Sequence, residues 1–109
     1  MDYRVQSVIR EMELALSEPH SVDSLARSVN LSTWRLCHIF KSETRKPPLQ
    51  YLRSLRMQKA RKLLETTFLS VKQVMFEVGL KDESHFVRDF KRVYGASPAE
   101  YRRRHFCQT

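Results

Sequence analysis

Trp34, Cys37, His38 and Lys41, with Thr33 and Arg35 beside them, fall on one side of a predicted helix, and Glu83, Ser84, Val87, Arg88 and Lys91 occupy the matching stretch fifty residues later. At about 100° per residue, Leu36, Ile39, Phe40 and Glu43 gather opposite the first set, and Phe86, Phe90 and Val93 opposite the second. Each segment thus has a core side and a polar side. The polar sides carry groups suited to duplex nucleic acid. An arginine can donate a paired bond to guanine O6 and N7, histidine, serine and lysine reach base edges or phosphates, and an indole covers a sugar or a thymine methyl. A tryptophan in the first turn of a helix is costly to leave in water, so Trp34 is either tucked against a neighbour or reserved for a ligand. Arginines on solvated helix faces commonly have no role, and it is the recurrence of the pattern that weighs for function.

Other chemistry finds no support. No nucleophile–base–orienter set, phosphate-cradling glycine loop or paired carboxylate in a cleft is present, so the chain reads as no enzyme, with no cofactor. Cys37 and His38 are adjacent and point about 100° apart on a helix, with no third or fourth ligand at usable spacing, which argues against a metal site. Nor does Cys37 have a resolving partner that would make it a redox sensor.

The elements that position these faces come from an internal repeat. Residues 21–25 and 70–74 open two segments that stay parallel for thirty residues: Val29-Asn30-Leu31 matches Val78-Gly79-Leu80 at an offset of 49, then Leu36 matches Phe86, Phe40-Lys41 matches Phe90-Lys91, Pro48 matches Pro98 and Tyr51 matches Tyr101 at an offset of 50. Ser21 and Ser70 are N-caps, and Gln73 completes a capping box. The short helices they start end near Val29 and Val78, where Asn30 and Gly79 tolerate the left-handed backbone of a tight turn. Ser32 and Asp82 cap second helices over 33–44 and 83–94. Helix, turn, helix is the DNA-binding arrangement, although αα corners also occur in purely structural bundles.

Between the two units, Pro48 opens a connecting helix with Leu49, Leu52, Leu55, Ala60, Leu63 and Leu64 along one face and Arg53, Arg56, Lys59, Arg61 and Lys62 on the rest. A helix over 3–17, with Val5, Val8, Ile9, Met12 and Leu16 inward, precedes the first unit, and a last one starts at Ser97-Pro98-Ala99-Glu100. The fold class is therefore all-α: two helix-turn-helix units (1–46 and 66–109) joined by a long helix (48–65), about seven helices in a single DNA-binding domain. In 109 residues each half alone would be marginal, so shared packing is expected.

The net charge is +8, and it is uneven: residues 1–31 hold three basic and five acidic side chains, residues 32–109 seventeen basic and seven acidic. The basic portion points to a polyanionic partner. No signal peptide or apolar span is apparent, and Cys37 and Cys107 suggest no disulfide framework, which fits a cytoplasmic protein without a membrane partner.

The second unit, from Gly79-Leu80 through Phe86-Val87-Arg88-Asp89-Phe90-Lys91 to Gly95-Ala96-Ser97-Pro98-Ala99-Glu100-Tyr101-Arg102, resembles the signature of the AraC/XylS group of bacterial transcription regulators. Leu25-Ala26, Leu31-Ser32, Leu36, Phe40-Lys41, Tyr51-Leu52, Arg56 and Ala60 agree with it too, so the likeness covers nearly the whole chain. The resemblance implies two recognition helices in successive major grooves on one DNA face, with contacts at Trp34, Cys37, His38, Ser84, Val87 and Arg88. Two units on one chain joined by a stiff helix predict that a monomer covers both grooves, and the function expected is regulation through contacts with RNA polymerase by a protein that is nucleoid-associated when bound. Family members occur alone or fused to an effector-binding domain. Four departures stand out: Arg45 replaces a usual glycine, Pro47 a serine cap, Met75 a small residue at a close helix approach, and Leu80 a phenylalanine. The acidic Asp82, Glu83 and Asp89 on the second recognition helix predict that it binds less strongly than the first, whose outward face has no carboxylate.

Overall fold

The computed structural model describes residues 1–105, leaving the expectation about Cys107 outside the described residues. These residues form seven helices: α1 (Tyr3–Leu14), α2 (Val22–Ser28), α3 (Thr33–Thr44), α4 (Pro48–Thr66), α5 (Val71–Glu77), α6 (Glu83–Tyr94) and α7 (Pro98–His105). The helix starts follow local chemistry. Ser21, Ser32, Ser70 and Asp82 each accept a bond from the amide three residues on, and Gln73 closes the capping box by accepting from the Ser70 amide. At α7 the Ser97 hydroxyl accepts from the Glu100 amide and donates to its carboxylate, so both side chains are engaged, though not in the reciprocal pattern of a capping box.

The chain divides into two compact units, one ending at Leu55 and the other beginning at Arg56. In the first, Val5, Val8 and Met12 of α1, Leu25 and Ala26 of α2, Leu36 and Phe40 of α3 and Leu52 of α4 form the core. In the second, Met57, Ala60 and Leu64 of α4 join Val74, Met75, Val78, Phe86, Phe90, Ala96 and Tyr101. The buried side chains form two clusters, each fed by its own part of one 19-residue helix. That division also brings in Met57, which the sequence pattern did not single out. Met75, standing where the resemblance calls for a small residue, is fully taken into the second core.

One helix bound and two facings differ from expectation. Helix α1 stops at Leu14 rather than at residue 17, and His20 Nε2 sits 2.8 Å from the Ala15 carbonyl in the turn that follows, while Leu16 still packs against the first core. Leu49 is 42% exposed, because it lies in the first turn of α4 about 60° off the Leu52 direction. Val93 is 53% exposed: α6 runs past the core at its last turn, and Tyr94 takes the inner position, its ring 4.7 Å from Phe90. The matching residue of the first unit, Glu43, is exposed as well and accepts a 2.7 Å bond from the Asp2 amide.

Left-handed residues end four helices, at Asn30, Gly79 and Gly95 as residue type predicts and at Arg45 against its type. Asn30 (φ 57°) and Gly79 (φ 84°) follow α2 and α5, and Arg45 (φ 70°) and Gly95 (φ 81°) end α3 and α6, the latter pair donating amide bonds of 2.8 Å to Lys41 and Lys91. A Cβ at Gly95 would meet nothing within 4 Å, so glycine serves there for its backbone. At Arg45 the left-handed strain remains. Arg45→Gly is expected to stabilise the chain by up to about 1 kcal/mol. Thermal melting checks this, and a clear loss of stability would contradict it.

Helix α7 is tied to the end of α4: the Tyr101 hydroxyl donates to Glu65, and Arg102 Nε donates to the Leu64 carbonyl at 3.2 Å. Burial, then the bond to the Glu65 carboxylate, push the Tyr101 phenol up to about 12. Since this lies above the ordinary tyrosine value, the contribution is intact below pH 10 and is lost as the pH rises toward 12. Tyr101→Phe is expected to cost on the order of 1 kcal/mol at neutral pH and to flatten the alkaline decline of the urea midpoint. A variant that declines as steeply as the parent would refute the assignment.

Candidate nucleic-acid interface

The outward faces of α3 and α6 carry the residues that the sequence singles out. On α3, Thr33, Trp34, Arg35, His38 and Lys41 are exposed and Cys37 is half-buried. Trp34, 71% exposed, is not tucked into the core. Its ring lies flat on that of His38, with centroids 5.1 Å apart and planes 9° apart. The spacing i, i+4 brings the two rings together on one helix face. The sequence reading held both residues as separate contacts and missed that they form one platform. Thr33 is already engaged, donating its hydroxyl to Asp23 and so fastening α2 to the start of α3.

On α6, Glu83, Ser84, Arg88 and Lys91 are exposed and Val87 is half-buried. All five line a single open depression on the helix face. The three acidic groups of this segment separate by role. Asp82 is the cap, accepting from the His85 amide at 3.0 Å. Asp89, only 13% exposed at its side chain, lies 3.7 Å from the Arg92 guanidinium and 3.5 Å from His85 Nε2. Only Glu83 joins the depression. The electrostatic opposition expected from three carboxylates therefore reduces to one on the face itself, because the others are satisfied within the helix.

The two faces differ in kind: a stacked aromatic pair beside Arg35 and Lys41 in one unit, a half-buried aliphatic side chain rimmed by Glu83, Arg88 and Lys91 in the other. Among the described residues, no three His, Cys, Asp or Glu side chains come together as a metal site would need, and no helix is long and apolar enough to cross a membrane.

Comparison with known proteins matches residues 25–104 to the helix-turn-helix domain family. The chain is 33% identical over 103 residues to the HTH-type transcriptional regulator MtrA of Neisseria gonorrhoeae, covering 94% of this chain and 33% of that protein. It is 34% identical over 103 residues to the arabinose operon regulatory protein of Escherichia coli, covering 94% and 35%. The chain thus spans about a third of the length of these relatives. Among solved structures it is similar to the DNA-binding domain of AdpA in complex with a target DNA, with TM-score 0.87, 32% identity and coverage of 93% and 91%. An AraC-type transcriptional regulator of Chromobacterium violaceum gives TM-score 0.89 at 27% identity, with coverage of 98% and 96%.

Proposed function

Because the chain belongs to the AraC/XylS-type family of helix-turn-helix transcription regulators, we propose that it binds double-stranded DNA sequence-specifically and regulates transcription, with α3 and α6 entering adjacent major grooves. The observation that carries this reading is the doubled unit, which exposes a face suited to base edges and phosphates on each second helix. The contacts are proposed for Thr33, Trp34, Arg35, Cys37, His38 and Lys41 on α3 and for Glu83, Ser84, Val87, Arg88 and Lys91 on α6. The functional division is a first unit over 1–46, a connector over 48–65 and a second unit over 66–109. The domain acts as a monomer in the cytoplasm, associated with the nucleoid when bound, and activates or represses through contact with RNA polymerase.

Selection from random duplexes tests this. The chain is expected to enrich one site of two half-sites that need not be palindromic, to hold it against competitor DNA, and to lose affinity steeply with salt. Enrichment of no sequence, with salt-dependent binding to every duplex, would mean a nonspecific binder, and no duplex binding would leave a protein-interaction module.

Within the selected site, Trp34→Ala is expected to cost about 1–3 kcal/mol and relax preference in one half-site, while Arg88→Ala relaxes a single guanine in the other. A base-by-base substitution scan decides between the halves. Greater stringency in the half-site facing α6 would overturn the asymmetry drawn from Glu83.

A further inference from the structure

On the reading that α6 enters a major groove, we infer that Val87 and Arg88 together read one dinucleotide, a guanine next to a pyrimidine that carries a 5-methyl group.

The depression on α6 is lined by Glu83, Ser84, Val87, Arg88 and Lys91, positions i, i+1, i+4, i+5 and i+8, which form one stripe along the helix. Its composition decides what it can accept. The stripe carries two cations and one carboxylate, so Lys91 can serve a phosphate, whereas Glu83 and the apolar Val87 do not suit one. A base edge is favoured. Val87 is half-buried in this stripe, so its methyl groups offer a short, rigid apolar surface that neither donates nor accepts. In the major groove the one base substituent that matches such a surface is the C5 methyl of thymine, or of a methylated cytosine. Arg88 is exposed beside it, long enough to place its planar guanidinium against guanine O6 and N7. Val87 and Arg88 differ by about 1.5 Å in rise and about 100° in direction, so the longer Arg88 side chain reaches a base pair beside the one that Val87 meets. Glu83 has only acceptors, so the base edge it meets must present an amino group, as cytosine or adenine does. Lys91, two turns further along, is left for the backbone.

The test uses the duplex recovered by selection, with each thymine replaced in turn by uracil, which removes one methyl and leaves base pairing intact. Arg88→Ala first identifies the guanine read from α6, as the position where preference is lost. Uracil at the thymine adjacent to that guanine is expected to weaken binding about fourfold, the effect of one methyl leaving an apolar contact. 5-Methylcytosine placed there should bind several-fold better than cytosine. Val87→Ala, its fold checked by melting, should erase both differences. A selected half-site with no thymine beside the Arg88-dependent guanine, a uracil duplex bound as well as its thymine parent, or a methyl effect that persists in Val87→Ala each overturns the inference while leaving DNA binding intact. Failure to select any duplex overturns the proposed function and the inference with it.

Discussion

Phe90→Ala is expected to destabilise the second unit by about 3–5 kcal/mol, a large part of the 5–15 kcal/mol by which a domain is ordinarily stable. Phe90 is fully buried, and three rings close around it: Phe86 at 5.8 Å and Tyr101 at 5.4 Å, both edge-on, and Tyr94 at 4.7 Å, tilted. Truncation removes the buried ring and leaves a cavity walled by aromatic groups from α6 and α7, which cannot collapse without moving helices. The edge-to-face contacts are lost in addition. The consequence reaches function, because Phe90 holds the inner side of the helix whose outer side carries Val87 and Arg88. Urea unfolding should show a fall in midpoint with a comparable slope, whereas Val93→Ala, at an exposed site three residues on, should change stability by less than about 0.5 kcal/mol. Equal effects at the two positions would mean that α6 packs by a different face.

That contrast marks where sequence pattern stops being sufficient. Phe86, Phe90 and Val93 share one helical direction, but direction says nothing about how far the core extends along the axis. Val93 and Glu43 occupy equivalent places in a last turn beyond it, and the polar Glu43 is the hint that the sequence offers. Caps and left-handed turns were legible because they depend on two or three neighbouring residues: Ser70 with Gln73, Asn30, Gly79. The division of α4 was not, since Leu52 and Met57 differ in which core they enter for reasons set by residues far away in the chain.

For the candidate interface the same distinction holds. The outward positions of α3 and α6 follow from the period of the helix and the doubled unit. Side-chain pairing on those faces does not: the Trp34–His38 stack and the Thr33–Asp23 bond depend on rotamers, and the latter on α2 and α3 meeting. Asp89 shows the cost of omitting this. Counted by residue type it weakens an anion-binding helix, yet it is held by its own neighbours, His85 and Arg92, and does not line the depression.

One chain is proposed to grip two major-groove segments at once. Two grips on one chain multiply affinity only while both fit, and such coupling is commonly worth 100-fold to 10,000-fold. The direct measurement is the affinity of the full chain for the selected duplex and for the same duplex with about five base pairs inserted between its half-sites, which turns one half-site to the opposite face of the DNA. A loss of at least about 100-fold is expected, to the level of a duplex carrying a single half-site. Undiminished affinity for the insertion duplex would show that the two helices do not bind together.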